Sequence, residues 1–253
     1  MDSKKRFSNR VQDYVKFRPS YPSALIDDWI RLADVQAGDR VADVGAGTGI
    51  FTRLLLDRGL EVLAVEPNDE MRIAAEQAVS PAQLAQFRSV AASAEETSLA
   101  DGEVDAVVSA QAFHWFDPAA TKVEFGRILK PGGTVALVWN KRDVTGNPFA
   151  VEYEALIHAF APDYKDVGHQ KLAPGDFEAF FASGEYERLE YMNEYWISLE
   201  ELIGRATSSS YTPAAGSDAH VLFAQALTSL FTKHEQQDRV PFHYVTELYM
   251  GRV

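Results

Sequence analysis

One segment constrains this chain more than any other. Val41 to Thr52, VADVGAGTGIFT, reads as a short apolar strand, a turn with glycines at alternate positions, and the start of a helix. In open parallel sheets a turn of this kind lies beyond the carboxyl ends of the strands, where ligands bind. Glycine lets the turn close tightly and lets a ligand approach the main chain with no Cβ in the way. Gly45, Gly47 and Gly49 follow a G-x-G-x-G spacing, whereas a dinucleotide fingerprint needs G-x-G-x-x-G and position 50 is Ile. Asp43, just upstream, opposes a pyrophosphate but suits a loop that faces a cationic ligand. Glu66 closes the next apolar stretch, EVLAVE, where a carboxylate can accept both hydroxyls of a ribose.

The pattern around this segment alternates. Leu25, Ile26, Trp29, Ile30 and Ala33 recur at helical spacing between Pro22 and Ala33. Strands are predicted at Arg40–Val44, Glu61–Glu66, Phe87–Ala91, Val104–Ser109 and Thr134–Trp139. Between them come a helix from Phe51 to Arg58 closed by Gly59, a helix capped by Asn68 or Asp69, and a helix opened by Asp117-Pro118. Short apolar strands separated by helices imply a parallel sheet covered on both faces. Further on, Phe149–Ala161, Leu199–Ser209 and Ala219–Lys233 read as helices, while Glu187–Ile197 and Phe242–Arg252 alternate like strands. A strand, a helical excursion and a returning strand predict a helical lid at about 198–239, inserted before the last strand. The expected organisation is one domain over 1–253: an N-terminal cap segment (1–35), a cofactor-binding core (36–145), and the remaining strands plus lid (146–253).

Composition narrows the partners. The chain of 253 residues carries a net charge of −13, and its one local basic excess, Lys4 to Arg18, lies near the N-terminus. Nucleic acid, whose binding depends on clustered Lys and Arg, is not an expected substrate. No apolar run approaches the length of a membrane span, so no membrane partner is expected. The absence of cysteine removes disulfides, thiolate metal sites and a cysteine nucleophile, and fits a cytoplasmic setting. No acidic or histidine spacing suggests a metal site.

Four ordered segments together carry a resemblance. VADVGAGTGIFT, VLAVEPNDEM, AASAEETSLADGEVDAVVSAQAFHWF and ILKPGGTVALVW are similar to successive motifs of class I S-adenosylmethionine-dependent methyltransferases. The segment Tyr14 to Pro22 and the run Gln111 to Phe116 look like the methyltransferase type-11 branch that includes trans-aconitate methyltransferase-like proteins. This resemblance implies a Rossmann-like, seven-stranded, mostly parallel α/β sheet with helices on both faces. It also implies methyl transfer from S-adenosylmethionine, with S-adenosylhomocysteine as product, to a small-molecule acceptor such as a carboxylate.

Carried onto this sequence, the family pattern puts Gly45, Gly47 and Gly49 along the amino-acid and ribose portions of the donor. Glu66 would hold the ribose, Pro67, Asn68 and Met71 would lie near adenine, and Ala94 and Glu95 would sit at its edge. Ser93 stands where many relatives have Asp, so the adenine amino contact falls to Glu95 or a backbone carbonyl. Gln111 would meet the methionine moiety. His114 is the base candidate just past the fourth strand, the alternative being a histidine that only hydrogen-bonds within its turn. Trp115 reads as pocket wall or as an aromatic face toward the sulfonium. Tyr14, Arg18 and Tyr21 form a polar and aromatic set that could fold over the cofactor, with Arg18 suited to a carboxylate. Ser210 and Tyr211, before Pro213, are further substrate-site candidates. Two other functions stay open at this point: a nicotinamide-dependent oxidoreductase, and a non-catalytic S-adenosylmethionine-binding protein.

Overall fold

The computed structural model describes residues 16–161, 164, 172–209, 211–214 and 216–253. Tyr14 and Ser210 lie outside the described residues. The sheet contains β1 (Arg40–Val44), β2 (Glu61–Val65), β3 (Phe87–Val90), β4 (Val104–Ala110), β5 (Leu129–Arg142), β6 (Glu187–Asn193) and β9 (Tyr244–Gly251), in the order β3-β2-β1-β4-β5-β9-β6. The pairs from β3 through β5 are parallel, and β9 runs antiparallel to both β5 and β6. This is the expected mostly parallel, seven-stranded sheet. It differs from the dinucleotide-binding order 3-2-1-4-5-6 by the antiparallel strand slipped in before the edge.

Alternation along the strands sorts the core into two layers. Val41, Val62, Ala106, Val108, Ala136 and Val138 pack with Leu25, Ile26 and Trp29 of α1 (Ser23–Leu32) and Phe51 and Leu55 of α2 (Ile50–Leu56). Ala42, Leu63, Val107, Leu137 and Trp139 face the other way, toward Phe125 and Ile128 of α4 (Pro118–Ile128) and toward Phe177 and Phe180. Helix starts follow local chemistry. Asn68 caps α3 (Asp69–Ala78) by accepting from the Met71 N–H at 3.0 Å, and Asp117 accepts from the N–H groups of Ala119 and Ala120 ahead of α4.

The structure departs from expectation along the second half. The fifth strand does not stop at Trp139; Asn140, Lys141 and Arg142 continue it, because β9 supplies Thr246, Val245 and Tyr244 as partners. The single strand expected over Glu187–Ile197 breaks in two. β6 pairs with β9, while β7 (Trp196–Ile197) turns away to pair with β8 (Val240–Pro241). Helix α6 (Pro174–Phe180) had no periodic signal long enough to announce it.

Helices α5 (Pro148–Phe160), α7 (Leu199–Thr207) and α8 (Asp218–His234) share a third core that includes Phe149, Tyr153, Ile157, Leu202, Phe223 and Leu227. The chain leaves the sheet after β6, builds α7 and α8 against α5, and returns as β9. The segment before α1 ties this unit to the sheet. The Ser20 carbonyl accepts from Asn140 Nδ2 (3.2 Å), Asn193 Nδ2 (2.9 Å) and the Tyr195 hydroxyl (3.3 Å). Phe17, almost fully buried, lies against Gly204 of α7, and the Tyr21 ring meets Phe51 edge-on at 5.1 Å.

Replacing a helical glycine with alanine ordinarily gains up to about 1 kcal/mol. At position 204 a Cβ would stand 2.3 Å from the Phe17 ring. Gly204→Ala is therefore expected to destabilise the protein by about 1–3 kcal/mol through overpacking. Urea unfolding measures the change, and an unchanged or raised midpoint would show that Phe17 does not depend on that gap.

Candidate functional site

The turn after β1 opens at the carboxyl end of the parallel strands, where the sequence placed a ligand. Gly45 has φ 74° and Gly47 has φ 57°, conformations that favour glycine. A Cβ at Gly45 would stand 2.4 Å from the Ala112 Cβ, so the turn can lie this close to the end of β4 only without a side chain. Glu66 holds the turn from the β2 side. Its Oε2 accepts from the Gly47 N–H at 2.9 Å, and its Oε1 accepts from the Asn68 N–H at 2.9 Å. Burial pushes the Glu66 carboxyl above its ordinary pKa, while the two N–H donors pull it back down. A carboxylate offers about four lone-pair sites, so about two remain for a ligand.

The end of β4 forms the facing wall. Gln111 has φ 60°, a sparsely populated conformation for a residue with a side chain, and such strain concentrates at functional sites. Two bonds hold it there: its N–H donates to the Val138 carbonyl at 2.8 Å, and its Nε2 donates to the Asn140 carbonyl at 3.3 Å. Glu95 accepts from the Asp117 N–H at 3.0 Å, fastening the loop after β3 to the start of α4.

Between these elements runs one cleft. Of the residues picked from the sequence, Gly45, Gly47, Glu66, Pro67, Asn68, Met71, Ala94, Glu95, Gln111 and Trp115 line it, together with Ser93. Ala110, Ala112 and Phe116 also line it, beyond the residues that the sequence motifs mark. Their signal was present in the run AQAFHWF, where a small residue must face Gly45 and an aromatic ring closes over the turn.

Other predicted residues lie off the cleft wall. Asp43 is fully buried beneath the turn, and its Oδ2 accepts from the Thr52 hydroxyl at 2.6 Å. Gly49 starts α2 with φ 75° and backs onto Ala75. Arg18 donates from Nη2 to the Ser208 carbonyl at 3.2 Å, at the end of α7. Tyr21 packs on Phe51, and the Tyr211 ring lies 4.8 Å from that of Tyr164. His114, in a short 3-10 turn (Phe113–Trp115), accepts at Nδ1 from the Trp139 indole N–H at 3.4 Å. A neutral imidazole that accepts at Nδ1 carries its hydrogen on Nε2. Among the described residues no group of three or more histidines and acids could hold a metal ion, and no helix is long and apolar enough to cross a membrane.

Comparison with known proteins adds to this geometry. A family described as "Methyltransferase domain" matches residues 42–137. The chain is 47% identical over 137 residues to an uncharacterized methyltransferase of Mycobacterium tuberculosis (strain ATCC 25618 / H37Rv). That match covers 54% of this chain and 53% of the relative, so the chain spans about half the length of that relative. It is 31% identical over 203 residues to an uncharacterized methyltransferase of Mycobacterium sp. (strain JLS), covering 73% of this chain and 77% of that one. Among solved structures, a proposed type II methyltransferase from Anaeromyxobacter dehalogenans shares the fold. Its TM-score is 0.65 at 24% identity, over 93% of this chain and 98% of that one.

Asp43 makes the buried floor of the site sensitive to pH. Burial, opposed by the Thr52 hydroxyl and reinforced by Glu66, pushes its pKa up to about 7 from 3.8. A carboxyl raised in the folded state favours folding in acid. Its contribution is complete below pH 3.8 and is lost as pH rises toward about 7. Asp43→Asn keeps an acceptor for Thr52 and removes this titration. The stability of the variant relative to the parent is expected to rise between those pH values, by at most about 1.4 kcal/mol per pH unit, and to level off above them. Thermal or urea unfolding of both proteins across pH 4–8 tests this; parallel profiles would rule it out.

Proposed function

This chain belongs to the class I S-adenosylmethionine-dependent methyltransferase family, and we propose that it transfers the sulfonium methyl group of that donor to a small-molecule acceptor. One observation carries the reading. Glu66 accepts from the Gly47 and Asn68 N–H groups and keeps lone pairs that would accept from the two hydroxyls of a ribose, beside a turn whose Gly45 admits no Cβ. The residues present fit the donor. Glu66 would hold the ribose, and Pro67, Asn68, Met71, Ala94 and Glu95 would surround adenine. Gly45, Gly47 and Gln111 would run along the amino-acid portion.

When bound, S-adenosylmethionine supplies a methyl group that is already electrophilic. The work left to the chain is to align an acceptor and exclude water. Trp115 and Phe116 would wall the methyl-bearing end, and α7 and α8 would act as the lid over the acceptor. The link from Arg18 to Ser208, at the end of α7, supports that arrangement. The preferred acceptor is a carboxylate, giving a methyl ester, because such a nucleophile needs no general base. His114 agrees with this choice. Its Nδ1 lone pair already accepts from the Trp139 N–H, so that nitrogen is engaged within the fold and is not the one that would take a proton from an acceptor.

Two measurements test the reading. Calorimetric titration with S-adenosylhomocysteine should show saturable binding. Glu66→Gln should weaken it roughly tenfold or more, since a charged acceptor of hydrogen bonds is worth about 1.5–3 kcal/mol. Binding of NADH with none of S-adenosylmethionine would overturn the proposal. With an acceptor panel followed by S-adenosylhomocysteine release, His114→Gln should keep turnover of a carboxylate within about tenfold. A base would be worth about 10²- to 10⁴-fold, so a loss of that size would restore His114 as the proton acceptor.

A further inference from the structure

Beyond the carboxyl end of the sheet, next to the cleft, lies a set of arginines that the donor does not use. Arg142 is the last residue of β5 and is paired in register with Tyr244 of β9. Its side chain is 13% exposed; the guanidinium lies 4.7 Å from the Tyr153 ring and donates to the Tyr164 hydroxyl (3.0 Å) and to Glu154. Arg205 comes from α7. Its guanidinium stacks 4.3 Å from the Tyr195 ring and lies 5.8 Å from that of Phe242, and its Nη1 reaches the Tyr244 hydroxyl at 3.5 Å. Arg18 joins them at the end of α7. Burial raises the Tyr244 pKa, and Arg205, Arg142 and Arg18 all oppose that rise, so their charges converge on one hydroxyl.

The charges do not balance locally. Glu154 answers Arg142, but no carboxylate among the described residues forms an ion pair with Arg205; Glu201, four residues earlier on α7, feels the Arg205 charge yet makes its contacts with Arg239 and the Ser198 N–H. The Nε atoms of both Arg142 and Arg205 are buried without a hydrogen-bond partner. Leaving a desolvated guanidinium edge open is costly, and in a chain of net charge −13 it is conspicuous. Aromatic rings lie against both guanidiniums, and the buried Nε–H of each remains an unused in-plane donor of the kind that pairs with an oxyanion. The place is also suitable. Asn140, whose main-chain carbonyl anchors the Gln111 side chain at the cleft, lies only two residues before Arg142 on β5.

We propose that Arg205 and Arg142 grip an oxyanion on the methyl acceptor, which makes the acceptor a small acid held beneath α7. This rests on the methyl-transfer reading above. Carboxylate and phosphate share the required chemistry, and the test separates them.

The experiment titrates the full chain, with and without S-adenosylhomocysteine, with tricarballylate and separately with inorganic phosphate at pH 7. Saturable binding of either probe is expected, the tighter one identifying the acid on the acceptor. Arg205→Gln should weaken it roughly tenfold or more while leaving S-adenosylhomocysteine affinity unchanged. Arg205→Lys, which keeps the charge but not the fork, should fall between the two and gives the same reading if the glutamine variant does not fold. No saturable binding of either anion, or equal affinity in parent and variants, overturns the proposal. Failure of S-adenosylhomocysteine to bind would instead remove the methyl-transfer reading, and the anion titration without it would still be read.

Discussion

The carboxylate of Glu66 is the joint on which the site depends. It takes one N–H from the glycine turn after β1 and another from Asn68, which itself caps α3, so two loops and a helix start are fixed by one side chain. The turn can then close only if Gly45 lies against Ala112, and this carries the constraint across to the end of β4. Beneath it, Asp43 is buried with the Thr52 hydroxyl as partner and is raised further by the charge of Glu66. Two acids held this close cost energy in the folded chain, and the charge of Arg72, which eases Glu66, is not among those acting on Asp43. A cationic ligand above them would relieve that cost, which agrees with a sulfonium better than with a pyrophosphate.

The second constraint is the length of β5. It outruns β4, whose pairing ends at Ala110 with Val138, and its last residues are held by β9 instead. The overshoot sets Asn140 between several tasks. Its carbonyl anchors Gln111, its Nδ2 reaches the Ser20 carbonyl, and its Oδ1 accepts from the Thr246 hydroxyl at 2.6 Å. Through that one residue the strained end of β4, the segment before α1 and the antiparallel strand are mechanically linked. A shift in any of them would be felt at the cleft.

How much of this was legible in the sequence follows from how local each determinant is. Strands β1 and β2, the cap at Asn68 and the Asp117-Pro118 helix start depend on neighbours within a few residues, and they appear where the pattern put them. So do the cleft residues carried by the glycine turn and the end of β2. The end of β5 was not legible, because Asn140-Lys141-Arg142 is polar and becomes strand only through β9, about a hundred residues later in the chain. The split of the Glu187–Ile197 segment has the same origin: β8 draws two residues away, and nothing within the segment marks the break. Asp43 and His114 were recognisable as important types, but which way each side chain faces depends on Thr52 and Trp139, contacts made only by the fold.

Charge then orders the site from end to end. Asp43, Glu66 and Glu95 gather near the glycine turn and the loop after β3, while Arg142 and Arg205 gather past the end of β5. In the proposed reaction a cation would rest at the first end and an anion at the second, so each ligand would meet groups of opposite charge. The attraction between a sulfonium donor and an anionic acceptor would also strengthen as water leaves the space between them. Methyl transfer to an oxyanion would turn the sulfonium into a thioether and cancel one negative charge on the acceptor, so each end would lose part of what it holds. A site laid out this way would favour its charged substrates over its products, and the loss of those charges would itself promote release.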